Sequence, residues 1–242
     1  MSLSKIQLKL ITSLPQKKYR KKHNLFMVEG LKGVKEFLNS KFEIFQLFSS
    51  DDSCFFEVEN RTAISDKDLK KISNLKTPNK VVALFRIPKE DTINKLGLIV
   101  ALDEVNNPGN LGTIIRLCDW FGVDQLVCSE NTVDCFNPKV VQASMGSLTR
   151  VSIIYTDLEK YLQETELPKF AAVMNGKNIY KTELPKNGVI IMGNEANGVN
   201  NEILNLVTNK ITIPRFGKSQ QTESLNVATA TAIVLNEFKR NS

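Results

Sequence analysis

Short apolar runs alternate with amphipathic segments through the second half of the chain. Leu98-Ile99-Val100-Ala101-Leu102 has no polar position and reads as a strand buried on both faces. After a polar turn, Thr113–Phe121 has helical spacing. The pattern then repeats. Leu126–Cys128, Val151–Ile154, Phe170–Met174, Val189–Met192 and Ile211–Ile213 read as strands, and helices are predicted near Pro138–Leu148, Leu158–Glu164 and Asn201–Val207. Apolar strands alternating with helices predict an α/β domain whose parallel sheet is covered on both faces. In such sheets ligands bind beyond the carboxyl ends of the strands, so the loop after each strand is the place to look for chemistry.

The first part of the chain has a different rhythm. Leu25–Leu38 shows apolar residues at helical spacing (Phe26, Leu31, Val34, Phe37, Leu38), and Phe42–Phe48 and Val81–Phe85 read as strands around a helix at Asp66–Ile72. Pro88–Lys95 breaks the hydrophobic pattern. A small α/β module over residues 1–92 and a larger domain over 93–242 are therefore expected. The end of the chain stands apart. Between Glu223 and Glu237 there is no charged residue, although Val227–Leu235 has strong helical character. A helix without a charged face is buried on most sides, in a core or against a partner.

Charge changes this picture more than composition does. Residues 1–41 carry ten basic side chains against Glu29 and Glu36, a balance of +8, while the whole chain is +6, so the remainder is slightly acidic. Basic charge gathered in one segment suits a polyanion, most simply nucleic acid, although a solvated lysine-rich helix face has the same composition. Cys54, Cys118, Cys128 and Cys135 lack Cys-x-x-Cys spacing and there is one His, so no metal centre is expected. No apolar run approaches the roughly 20 residues of a membrane span, and Met1–Lys5 lacks the apolar core of a secretory signal. A cytoplasmic protein with reduced thiols is the expectation.

Three loops carry candidate chemistry. Asn106–Gly112 runs into a helix holding Arg116, with Asn110 placed to cap that helix. Arg116 reads either as a site residue or as a structural cation paired with Asp103 or Glu104. Met192–Val199 follows a strand and sets Glu195 between Gly193 and Gly198, facing a ligand or offsetting the dipole of the next helix. The third loop joins Ile213-Pro214 to Ser224-Leu225-Asn226. Its Gly217-Lys218-Ser219 is a false phosphate-loop match, since Thr212 stands where the first glycine is required. A Gly-x-Gly-x-x-Gly dinucleotide fingerprint is also lacking.

In this order the loops resemble the three motifs of the SpoU (TrmH-type) RNA ribose methyltransferases of the SPOUT superfamily: Asn110 with Arg116 six residues on, Gly193 to Gly198, and Ile213-Pro214 with Ser224 to Ala228. Asn137–Val141 and Ala143–Gly146 resemble the helix between motifs, and the likeness covers residues 97–242. Lys17–Arg20 and Phe26–Gly30 resemble the accessory substrate-binding domain of L30e type. The resemblance implies a parallel sheet with its C-terminus threaded into a deep trefoil knot, a homodimer, and S-adenosylmethionine as cofactor. It implies methylation of a ribose 2′-hydroxyl, in ribosomal RNA by the accessory domain. Transfer RNA, or a non-catalytic RNA-binding protein of the same fold, are the alternatives.

The resemblance also implies roles. Arg116 would be the activator, with Asn110, Glu195, Ser224 and Asn226 arranging the site. A guanidinium does not readily release its proton, so electrostatic stabilisation of a developing alkoxide suits Arg116 better than base catalysis. Met174, Asn175, Gly176, Met192, Gly193, Glu195, Ile213, Ser224 and Leu225 would receive the cofactor. Lys17, Lys18, Arg20, Lys21 and Lys22 would contact RNA. One departure stands out: Arg215–Glu223 is longer than the family's spacing.

Overall fold

The structure, a computed structural model, describes residues 3–89, 91–219 and 224–240, and the chain divides into two compact units.

The first unit begins with α1 (Lys5–Ser13) and α2 (Lys17–His23), followed by β1 (Leu25–Glu29), α3 (Leu31–Leu38), β2 (Ile44–Ser49), β3 (Arg61–Ala63), α4 (Asp66–Ile72) and β4 (Val81–Arg86). The sheet order is β1-β4-β2-β3, antiparallel except for β2 beside β3. The helix expected over Leu25–Leu38 is instead a strand and a helix. Leu25, Phe26, Met27 and Val28 are all buried, because both sheet faces are covered. Leu25 and Met27 meet Ile11, Leu69 and Ile72 on one side, and Phe26 meets Phe37, Phe42 and Phe85 on the other. A strand buried on both faces has no polar alternation, so its apolar positions also fit a helical spacing. Gly30, at φ +87°, makes the turn between the two elements.

The second unit holds β5 (Leu98–Leu102), α5 (Pro108–Phe121) and β6 (Gln125–Ser129), then, after an excursion through α6 (Pro138–Ser144), β7 (Ile153–Thr156), α7 (Leu158–Glu164), β8 (Lys169–Asn178), β9 (Gly188–Met192), α8 (Asn201–Leu204), β10 (Asn209–Thr212) and α9 (Val227–Lys239). Its six-stranded sheet, order β10-β8-β9-β5-β6-β7, is parallel throughout. Ile99, Ala101, Val127 and Ile191 face a core with Leu162, Leu167 and Ile203. The alternate residues Leu98, Val100, Leu102 and Ile190 are equally buried, as expected of a sheet covered twice. At the end of α9, Phe238 packs edge-on against Phe170, with ring centroids 5.2 Å apart.

Residues 134–149, which include α6, belong to the first unit, and the division falls at residues 89 and 90. The sequence placed this stretch in the 93–242 domain. Its anchors explain the difference: the Phe136 ring lies 4.6 Å from that of Phe26, and Asp134 accepts from the Arg20 Nε at 2.9 Å. Among the described residues no helix is long and apolar enough to cross a membrane, and no group of three or more His, Cys, Asp or Glu could hold a metal ion.

Candidate active site

The three loops singled out in the sequence follow the carboxyl ends of β5, β9 and β10. α5 starts earlier than expected, and its cap is Asn107, whose Oδ1 accepts from the backbone N–H of Gly109 and Asn110 at 2.8 and 3.2 Å. Pro108 takes the first helical position, where its fixed φ fits and no N–H is needed. Asn110 is therefore not the cap. It sits within the first turn of α5 with its side chain available. The Asn107-Pro108 pair was the signal for this start.

The freed Asn110 carboxamide joins all three loops. Its Nδ2 donates to Glu195 Oε1 at 2.8 Å, and its Oδ1 accepts from Asn226 Nδ2 at 2.9 Å. Asn226 in turn caps α9, its Oδ1 accepting from the N–H of Ala228 and Thr229 at 3.0 and 3.2 Å. The three residues form one chain of hydrogen bonds, each carboxamide used as donor and acceptor at once. Ser224 and Leu225 lead directly into it and are exposed.

The Glu195 loop owes its shape to residues that the sequence did not single out. Asn194 and Gly198 exchange backbone hydrogen bonds at 2.9 Å in both directions. The Asn194 Oδ1 accepts from the N–H of Ala196 and Asn197, and its Nδ2 donates to the Glu104 carbonyl at 2.8 Å. Asp103 holds both ends of the loop: its N–H donates to the Met192 carbonyl at 2.9 Å, and its Oδ2 accepts from the Asn200 N–H at 2.7 Å. Burial pushes the Asp103 carboxyl above the usual carboxylate range, against the lowering effect of that hydrogen bond. A Gly-Asn pair directly after a strand is a turn signal, legible for Asn194 in retrospect.

Arg116 is exposed on α5 and makes no hydrogen bond or ion pair among the described residues. The alternative pairing with Asp103 or Glu104 is not formed. Asp103 is committed to Asn200, and Glu104 Oε1 accepts from Asn131 Nδ2 at 2.7 Å. A cation free of internal partners is available to a ligand.

Of the expected cofactor residues, Met174–Gly176 lie in the last part of β8, Met192–Gly193 at the end of β9 and Ile213 just after β10, three neighbouring strands of the sheet. Between the pairs Lys210↔Ala171 and Ile211↔Lys177 the register of β10 against β8 slips, so residues 172–176 of β8, which include Met174–Gly176, fall between consecutive partners. Thr212 Oγ1 donates to the Met174 carbonyl at 3.0 Å, and a Cβ on Gly176 would come within 2.5 Å of the Ile211 backbone. Gly193 is held as tightly, since a Cβ there would collide with the backbone of Gly198 and Val199. Met174 and Leu225 are half exposed, 46% and 48%, and Met192 is buried. Of the Arg215–Glu223 stretch, residues 220–223 lie outside the described residues.

In the first unit Lys17, Lys18, Lys21 and Lys22 are exposed on α2, but Arg20 is not, and this corrects its expected RNA contact. Its side chain is 2% exposed, donates to the carbonyls of Leu14 and Pro15 at 2.8 Å and pairs with Asp134. Arg20 faces inward because it satisfies carbonyls left over where α1 ends.

Residues 97–236, holding all three loops in order, match the SpoU rRNA Methylase family. The chain belongs to this SpoU family. Residues 5–83 match the MRM3-like substrate binding domain. The 23S rRNA (guanosine(2553)-2'-O)-methyltransferase RlmP of Bacillus subtilis is 29% identical over 93% of each chain. Among solved structures, a TrmH-family protein from Porphyromonas gingivalis superposes with a TM-score of 0.90 at 34% identity, covering 100% of both chains. The AdoMet-bound rRNA methyltransferase from Sinorhizobium meliloti gives a TM-score of 0.88 at 29% identity, covering 99% of this chain and 96% of that one. These relatives match across both units of the chain.

Proposed function

We propose that the protein methylates a ribose 2′-hydroxyl of ribosomal RNA, with S-adenosylmethionine as donor. The carrying observation is the hydrogen-bond chain Asn226–Asn110–Glu195, which ties the three family loops together, while Arg116, on the same helix as Asn110, makes no hydrogen bond or ion pair among the described residues. The residues present suit the cofactor. Gly176 and Gly193 keep the backbone side-chain-free where β8 and β9 end, and half-exposed Met174 and Leu225 offer apolar surface to a nucleoside. Met174–Gly176, Met192–Gly193, Ile213 and Ser224–Leu225 would hold it, with Glu195 at the loop apex. When bound, it supplies a sulfonium-activated methyl group, which leaves alignment and nucleophile activation to the protein.

Arg116 performs that activation. It sets fixed positive charge against the negative charge developing on the ribose oxygen, and its planar fork also suits the adjacent phosphate. Asn110, Glu195, Ser224 and Asn226 hold the loops in register.

The remaining expectations form part of the same proposal. The C-terminal segment is threaded as a trefoil knot, a reading supported by β10 lying at the far edge of the sheet while α9 packs back on α5. Two copies associate through α5 and α9. Trp120 is 84% exposed on α5, and Ala230, Ala232 and Ile233 are partly exposed on a helix free of charge as far as Glu237. The N-terminal unit is an L30e-like RNA-binding domain, with Lys17, Lys18, Lys21 and Lys22 as its phosphate contacts, and the enzyme works in the cytoplasm, where ribosomal RNA and reduced thiols are found.

The test is transfer of labelled methyl from S-adenosylmethionine to ribosomal RNA, followed by mapping of the modified nucleotide. Alkali-resistant linkage at one ribose is expected. Methyl groups found on a base, or no transfer at all, would overturn the proposal.

A further inference from the structure

Phe216, just beyond β10, places an aromatic ring in water. Phe216 is 82% exposed, and its ring stacks on that of Tyr180, with centroids 6.4 Å apart and an interplanar angle of 24°. Tyr180 is itself 40% exposed and sits in the short 3-10 turn Ile179–Lys181 that follows β8. The two rings come from the two strands that carry the expected cofactor backbone. Tyr180 lies four residues beyond Gly176, and Phe216 four residues beyond Thr212, which donates to the Met174 carbonyl. The pair therefore follows the paired ends of β8 and β10, a few residues on in each segment from the expected cofactor backbone.

The charge around it has one sign. Lys177, Lys181 and Lys218 are exposed, and from residue 174 to 186 and from 211 to 219 the only acidic side chain is Glu183. Stacking on each other covers one face of each ring and leaves the outer faces open to a further ring. Lysines on both segments make an aliphatic protein surface a poor complement. A polyanion whose units carry flat π-faces satisfies both features at once, and base–aromatic stacking in a basic groove is how single-stranded nucleic acid is held.

We propose that Tyr180 and Phe216 form a stacking platform for an unpaired base of the RNA substrate, with Lys177, Lys181 and Lys218 attracting the flanking phosphates. The inference rests on the RNA-methylation reading and adds a second RNA-binding surface, in the catalytic unit, to the lysines of α2. It also gives Phe216 and Lys218, at the start of the long stretch after Pro214, a purpose. The loop brings an aromatic partner to Tyr180.

The test compares wild type with Phe216→Ala, Tyr180→Ala and Phe216→Tyr, using a single-stranded oligouridylate, a blunt RNA duplex of equal length, and S-adenosylmethionine. Each alanine variant should bind the oligouridylate about tenfold more weakly, as expected when one base no longer stacks on a ring. Phe216→Tyr should restore most of that affinity, and the duplex and S-adenosylmethionine should bind as they do to wild type. If the alanine variants bind oligouridylate normally while wild type methylates ribosomal RNA, the platform is wrong and the methylation reading stands. If they lose S-adenosylmethionine affinity to the same degree, the rings belong to the cofactor site and the proposal falls. A change of subunit association in light scattering would assign the rings to an interface between copies and also overturn it. Wild type that neither binds RNA nor transfers methyl would remove both readings together.

Discussion

Asn226 Nδ2 donates to Asn110 Oδ1 at 2.9 Å, joining residues 116 positions apart in the chain. The bond fixes which end of each carboxamide points where, because Asn110 must then present its amide nitrogen to Glu195. A site assembled from three separate loops thus has its register set by two side chains of one residue type. Neither can be replaced by an isostere that only accepts.

Asn226→Asp separates the two tasks of that residue. The carboxylate still accepts from the N–H of Ala228 and Thr229, so the α9 cap survives, but nothing donates to Asn110. Thermal stability should stay near wild type, whereas kcat/KM should fall about tenfold, the scale of one lost hydrogen bond in the site. Asn226→Ala should lose the same activity and a further ~1 kcal/mol of stability with the cap. Equal activity in wild type and Asn226→Asp would show that the link is not needed for chemistry.

Arg116→Ala should abolish methyl transfer while S-adenosylmethionine still binds, as seen by calorimetry. Since Arg116 has no internal partner among the described residues, melting should change by no more than ~0.5 kcal/mol. Arg116→Lys should recover little, because a point charge does not reproduce the planar fork. Transfer at near wild-type rate by the alanine variant would rule out its role as activator.

Much of this was legible in the sequence, and the failures share a physical cause. The parallel unit was readable because its strands are short, apolar and separated by turns, and the predicted Leu158–Glu164 helix matches α7. β1 was misread because burial on both faces erases the period that distinguishes a strand. The Asn110–Glu195–Asn226 set was readable as an ordered list of motifs. Its wiring was not, because hydrogen bonds between residues 85 and 116 positions apart leave no local trace. Arg20 shows the same limit from the other side. Composition counts it with four lysines, and only the fold reveals that it turns inward toward Leu14, Pro15 and Asp134.

Arg20 and its neighbours should therefore separate cleanly. Arg20→Ala leaves Asp134 and two carbonyls without their donor in a largely buried setting and should cost about 3–5 kcal/mol of stability. Replacing Lys17, Lys18, Lys21 and Lys22 by alanine should leave melting nearly unchanged. RNA affinity should fall and its salt dependence flatten, by up to about 0.9 in the log–log slope for each phosphate no longer neutralised. An unchanged slope would take α2 out of the RNA interface.

Gly193→Ala should be more damaging than its size suggests. The added methyl would enter the backbone of Gly198 and Val199, which closes the loop bearing Glu195. The loop must open, so S-adenosylmethionine affinity and the Asn110–Glu195 hydrogen bond should disappear together. Calorimetry reads the first and a methyl-transfer assay the second. Retention of cofactor binding would mean that the loop can shift without consequence.

Asp103 provides a pH test of the same loop. Its carboxyl is pushed above the ordinary value of 3.8 by burial, with Glu104 and Glu202 adding negative charge nearby. A folded-state pKa above the unfolded one means that the native state holds the proton more readily. The group's contribution to stability is therefore full below the ordinary carboxylate range and is lost as pH rises through the raised value. Asp103→Asn keeps an oxygen to accept from the Asn200 N–H and carries no charge to desolvate. The variant should melt close to wild type in acid and above it at neutral pH, with the gap widening as pH rises. Melting curves across that range decide the matter. A gap that is constant, or that closes toward neutral pH, would show that burial of the Asp103 charge is not what the loop works against.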